Sequence, residues 1–225
     1  MSALLNGVVV MAKVFFDLDG TIINSQKRLY MLFCELCPEN KFTYQEYWKI
    51  KRTHMIQKDF LRKYFNYSDN QIVAFNKSYL KRVEEPDLIA MDCPVDGIEV
   101  VLRQMRQKHT LYVVTNRQDY EETVREIDRL AWRDIFEHIW VTEQRNTKAE
   151  LITRHTTVSP QDVFISDTGE DIKTARQLGI RSVAVTWGVL NREVLSSYQP
   201  DMIFDVVSDL KKCRSCFVNI HYFYI

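Results

Sequence analysis

Apolar positions along the chain follow two rhythms. Between Lys13 and Asp17 a short run, Val14-Phe15-Phe16, has the β-branched and aromatic content of a buried strand, and Gly20 breaks it soon after. From Gln26 to Met91 no glycine occurs and apolar residues recur at helical spacing. Leu29, Leu32, Phe33 and Leu36 form one stripe, and Ile72, Phe75, Tyr79 and Val83 another. The pattern predicts an all-helical insertion of about four helices.

After Cys93-Pro94 strands and helices alternate. Helices are expected over Val95–Lys108, Tyr120–Leu130, Lys148–His155 (capped by Thr147), Glu170–Leu178 (stopped by Gly179) and Val206–Lys212. Strands are expected over Thr110–Thr115, His138–Thr142, Asp162–Ser166, Ser182–Thr186 and Met202–Phe204. Such alternation predicts an α/β fold, a Rossmann-like parallel sheet covered on both faces. The expected division is a core of residues 1–24 and 92–225 and a helical domain of 25–91.

Ligands of such sheets sit at the carboxyl ends of the strands, so the polar residues there gain weight. Asp17 and Asp19 follow the first strand, Thr115 and Asn116 end the strand after the insertion, and Asp167 and Asp171 follow Ser166. Lys148 opens the helix between. One Asp-x-Asp-Gly fragment would pass for a turn; the ordered set would not. Clustered carboxylates call for a cation, and oxygen-only ligands suit Mg²⁺. Lys148 and Thr115 can meet phosphate oxygens, one carboxylate can act as nucleophile, and a second can move the proton.

Composition narrows the field. Thirty basic and 30 acidic residues cancel among 225, so no global basic excess points to nucleic acid or a membrane surface. No apolar run approaches the roughly 18 residues of a membrane span. Met1 to Ala12 reads as a short leader without the cationic start of a secretory signal, and Met11 could equally be the natural start. Five cysteines without a signal peptide favour a reducing, cytoplasmic setting. Cys34-x-x-Cys37 and Cys213-x-x-Cys216 have chelating spacing, but buried free thiols are the stronger reading. Residues 49 to 63 carry Lys49, Lys51, Arg52, Lys58, Arg62 and Lys63 against Asp59. They form either a face that attracts an anion or, as the interleaved aromatics favour, solvated amphipathic helices. His54 fits either reading, and the aromatic tail from Phe217 to Ile225 could pack on the core or on a partner.

Asp17-Leu18-Asp19-Gly20-Thr21, Val113-Val114-Thr115-Asn116, Lys148 and Ile165-Ser166-Asp167-x-x-x-Asp171 resemble, in order, motifs one to four of the haloacid dehalogenase superfamily. The resemblance implies its fold, with the insertion as a first-type cap that closes over the site. Val185-Thr186-Trp187-Gly188 is similar to the phosphoglycolate phosphatase-like branch. By this resemblance Asp17 is the nucleophile and a magnesium ligand, and Asp19 is the general acid/base with its carbonyl on the metal. Thr115 and Asn116 hold the phosphoryl group, Lys148 steadies it, Asp167 is a metal ligand, and Asp171 is a ligand or its neighbour. Arg117 is a candidate substrate contact. Two positions depart from the usual motifs: Ser166 stands where Gly is common and Ala149 where Pro is common. Lys173 competes with Lys148, although a solvated helix face suits it better.

The expected activity is Mg²⁺-dependent hydrolysis of a small phosphate monoester through an aspartyl-phosphate. Alternatives are a phosphosugar mutase of the same superfamily and, from another class, a non-catalytic phosphate-binding or signalling scaffold. Dehalogenation is disfavoured, because Asp19 supplies an acid that a departing halide does not need.

Overall fold

In the computed structural model, residues 11–216 are described, with the backbone alone for 212–216. Six parallel strands form one sheet in the order β5-β4-β1-β6-β7-β8. They are β1 (Lys13–Phe16), β4 (Thr110–Thr115), β5 (His138–Val141), β6 (Val163–Ser166), β7 (Arg181–Val185) and β8 (Met202–Phe204). The central strand β1 aligns Phe16 with Val113 of β4 and with Ile165 of β6.

Side-chain alternation explains both layers. Val14, Phe16, Val113 and Ile165 point to one face, where they meet α6 (Ile98–Arg106), α7 (Tyr120–Arg129) and the buried Trp132. Phe15, Tyr112, Val114 and Phe164 point to the other, against α8 (Lys148–His155) and α9 (Gly169–Leu178). Helices on both faces leave the strand ends as the open edge. The chain order reverses at β1, which opens a crevice there.

Two short strands, β2 (Ile23–Asn24) and β3 (Cys93–Pro94), pair antiparallel. Between them run α1 (Gln26–Leu36), α2 (Tyr44–Lys51), α3 (Gln57–Phe65), α4 (Asp69–Arg82) and the short α5 (Pro86–Ile89). Thr43 with Glu46 and Ser68 with Gln71 form capping boxes that start α2 and α4. These helices have a core of their own, with Phe33, Tyr47, Phe60 and Phe75 at its centre. Cys37 is buried there and Cys34 partly so, both as free thiols. The side chains of Cys213 and Cys216, the leader through Val10 and the tail from Phe217 lie outside the described residues.

Several expected boundaries move. The helix expected from Val95 begins at Ile98, because Gly97 is left-handed at φ 75° and serves as its N-cap. The last expected helix is a 3-10 segment over Val207–Cys216. The helix α10 (Arg192–Ser197), capped by Asn191, had no counterpart in the expected pattern.

Candidate active site

Asp17 continues the sheet ladder: its N–H donates to the Ile165 carbonyl at 3.0 Å. The chain then turns tightly, with the Leu18 carbonyl accepting from the N–H groups of Ile22 at 3.1 Å and Ile23 at 3.0 Å. Gly20 lies in this turn at φ 81°, which an L side chain rarely adopts. On the other side, the Thr147–Glu150 capping box fixes the start of α8 and so the backbone of Lys148. Lys148 Nζ donates to Asp17 Oδ1 at 2.6 Å and to Asp171 Oδ2 at 2.8 Å. Asp171, in the first turn of α9, also accepts from Ser166 Oγ at 2.6 Å and Thr168 Oγ1 at 3.1 Å. The serine in place of the common glycine is therefore a hydrogen-bond donor to the site.

Asp167 sits in a cradle. Its carboxylate accepts from Thr21 Oγ1 at 3.0 Å and from the Val189 N–H at 2.7 Å. A Cβ on Gly20 or Gly188 would collide with that carboxylate. Asp17, Lys148, Asp167 and Asp171 are all buried. Burial, with Asp171 and Asp167 close by, pushes the Asp17 carboxyl up, while Lys148 pulls it down. Burial alone would lower Lys148, but Asp17 and Asp171 outweigh it and raise the ammonium. Asp17 and Asp171 thus share one ammonium, with Asp167 close by.

Asp19 is held separately. Its carboxylate accepts from Arg117 Nε at 2.8 Å and the Arg117 terminal nitrogen at 2.9 Å, and it pairs with Arg28 of α1. Behind it, Asp92 accepts from Arg28 Nε at 3.1 Å and from Arg117 at 3.3 Å, and Glu126 pairs with Arg117. Burial would raise Asp19, yet Arg117 and Arg28 hold it well below the usual carboxylate range. Asp92, deeper, is pushed up to about 7 by burial against the pull of Arg28.

Thr115 is buried at the end of β4 and Asn116 follows it, exposed; neither side chain hydrogen-bonds to the other site residues among the described residues. Arg117, expected at the substrate, is instead buried with its guanidinium on Asp19, Asp92 and Glu126. Lys173 pairs with Glu170 on the exposed helix face. Among the described residues, no group of three or more His, Cys, Asp or Glu side chains is gathered as a metal cluster. Asp171 accepts from Lys148 at 2.8 Å. Sequence reading passed over Arg28, Asp92 and Glu126. A signal existed in two of them: Arg28 lies one turn before Leu32, and Glu126 three residues after Thr123 and four before Leu130, each on an inward-facing stripe.

A parallel sheet carrying a carboxylate-lysine centre at its strand ends, with a helical insertion after β1, defines a hydrolase of the phosphoryl-transfer architecture. The family model for haloacid dehalogenase-like hydrolases matches residues 14–185, and the chain belongs to that family. Pyrophosphatase PpaX from Bacillus cereus is 24% identical over 209 residues, 88% of this chain and 93% of the relative. A phosphoglycolate phosphatase from Synechococcus elongatus is 25% identical over 118 residues, and the match spans 51% of this chain and 56% of that protein, little more than half its length. Among solved structures, a haloacid dehalogenase-like family hydrolase from Streptococcus pneumoniae superposes with a TM-score of 0.74 at 23% identity, covering 90% of this chain and 97% of that one. The candidate HAD-hydrolase YfnB from Bacillus subtilis, described as bound to magnesium, gives a TM-score of 0.63 at 16% identity, covering 91% and 98%. These likenesses establish the fold. No helix among the described residues is long and apolar enough to cross a membrane.

Proposed function

We propose that the chain is a Mg²⁺-dependent phosphatase that hydrolyses a small phosphate monoester through a phospho-Asp17 intermediate. The observation that carries this is the Lys148 ammonium between two buried carboxylates, 2.6 Å from Asp17 and 2.8 Å from Asp171, at the crevice beside β1. Phosphatase names among the relatives point the same way.

Asp17 Oδ attacks phosphorus, the ester P–O bond breaks, and the leaving oxygen takes a proton from Asp19. Water then attacks the phospho-aspartate, and Asp19 accepts its proton as Asp17 and phosphate separate. Arg28 and Arg117 keep Asp19 as the carboxylate, the form that accepts the water's proton. For the first half, one guanidinium must withdraw so that Asp19 can be protonated. Arg28 is the one carried by the inserted helices. On this reading Lys148, Thr115 and the Asn116 N–H meet phosphoryl oxygens.

The residues fit a hard divalent cation. Asp17 and Asp167 are buried carboxylates, Asp167 has no cation within ion-pair distance among the described residues, and the absent side chains of Gly20 and Gly188 accommodate its carboxylate. With the Asp19 carbonyl they make an oxygen-only donor set of the kind Mg²⁺ accepts from one or two carboxylates and waters. Bound there, the metal would neutralise charge on the phosphoryl group and favour ionised Asp17.

Phosphate release from a phosphometabolite panel tests the reading. Activity should require Mg²⁺, vanish with EDTA and vanish in Asp17→Asn. Full activity in that variant would refute the nucleophile, and metal-independent turnover would refute the cofactor.

A further inference from the structure

A cavity of about 460 Å³ lies where α2, α3 and α4 face the loop after β7. This is within the range of a small-molecule site, roughly 300–1,000 Å³. Its walls are apolar and aromatic, with Tyr47, Trp48, Met55, Tyr79 and Val189 among them. Ile56 and Leu80, exposed at 49% and 50%, continue that surface outward. Large apolar side chains left uncovered around a concavity mark a binding site more than a packing fault.

The cavity borders the chemistry. Val189, in its wall, gives its N–H to Asp167 at 2.7 Å. Tyr79, half-buried in the wall, has its phenol pushed up to about 12 by burial, with smaller opposing effects from Arg28 and Asp19. Leu29, also in the wall, follows Arg28 on α1. The wall is thus one hydrogen bond from Asp167 and one residue from Arg28.

Two donors in this cavity lack suitable partners. Lys51, half-buried, has no carboxylate within ion-pair distance among the described residues; it reaches Gln57 Oε1 at 3.3 Å and lies 5.7 Å from the centre of the Phe60 ring. Burial draws its ammonium down to about 8. Of the neighbouring arginines, Arg52 gives a terminal nitrogen to the Thr186 carbonyl and Arg62 pairs with Asp69, while the exposed His54 also lines the cavity. Gln57 Nε2 is buried without a hydrogen-bond partner. A desolvated cation beside an unmet N–H, within apolar walls, is complementary to an anion carried on an apolar body.

We propose that this cavity receives the leaving-group half of the substrate, and that this half is an apolar, ring-sized body bearing a second anion that Lys51 and Gln57 bind. The assignment rests on the phosphate-monoester reading for the position of the phosphate. It places glycolate and a bare second phosphate as poor occupants, because neither covers the aromatic walls.

Three probes separate the contributions, each assayed on the full chain with Mg²⁺: phenyl phosphate (ring alone), phosphoglycolate (anion alone) and 4-carboxyphenyl phosphate (both). The carboxylated aryl probe should lead the other two by about tenfold in kcat/KM, the scale of one charge-assisted hydrogen bond. Lys51→Met should penalise it about tenfold more than phenyl phosphate, through KM rather than kcat, and Lys51→Arg should restore most of the difference. Equal losses on the two aryl probes, or phosphoglycolate as the best of the three, would overturn the assignment. Calorimetric titration with 4-carboxybenzylphosphonate, which cannot be hydrolysed, distinguishes the two readings. Lys51-dependent binding without turnover of any probe supports the cavity and refutes the phosphatase. Turnover of all three probes with no Lys51 dependence refutes the cavity alone.

Discussion

Asp167 shows how little space a single carboxylate is given. Thr21, the Val189 N–H and the missing side chains of Gly20 and Gly188 together leave it one position. Gly188→Ala should therefore displace the carboxylate while sparing the sheet. Turnover is expected to fall about a hundredfold, the scale of an ångström of misplacement at a reacting centre. Far-ultraviolet circular dichroism should stay unchanged beside the kinetic loss. Wild-type turnover in this variant would mean that Asp167 has room to move. Asp17, Asp167 and Lys148 were legible in the sequence because strand ends are predictable and polar residues there are few. Arg28, Asp92 and Glu126 were not, because one buried charge makes sense only with its partner. The partners lie 64 residues apart for Arg28 and Asp92, and nine for Arg117 and Glu126 across a strand-to-helix turn.

At the scale of elements, Arg117 joins the end of β4 to the turn after β1, the end of the inserted helices and α7 through carboxylates of Asp19, Asp92 and Glu126. Its removal leaves the fully buried Glu126 with only Arg129, 3.6 Å away, and leaves Asp92 with Arg28 alone. Arg117→Met should cost about 3–5 kcal/mol in urea unfolding, as for a buried pair broken on one side. Adding Glu126→Leu should recover part of that loss, since the acid no longer needs a partner. Simply additive losses would mean that the two do not interact. Long elements with a clear period were read correctly from sequence, β4 to the residue and α8 at both ends. Among the short ones β8 was also read to the residue, but β2 and β3, with two residues each, and α10, with six, were not, being too short for a period to show.

For the whole molecule, the buried acids set a direction for stability against pH. Asp92 is pushed up to about 7 in the folded chain from an ordinary 3.8. The folded state therefore holds a proton that the unfolded chain releases between those values. Its contribution is fully present below about pH 4 and is lost as pH rises through about 7. Urea midpoints at about pH 5 and about pH 7.5, for wild type and Asp92→Asn, check this. The wild-type midpoint should fall relative to the variant's across that interval. No relative change would show Asp92 ionised throughout.

The pairing of β2 with β3 has a consequence for how such a protein can diversify. Ile23 faces Pro94 and Asn24 faces Cys93, so the chain departs and returns at adjacent points. Between points already held together, a longer or shorter excursion changes the closure entropy little. The candidate site residues Asp17, Lys148, Asp167 and Asp171 all lie outside that excursion, whereas Lys51 and Gln57 lie within it. A lineage could therefore exchange the segment that selects a molecule and inherit the chemistry intact, with Arg28 as the contact that each replacement would have to rebuild.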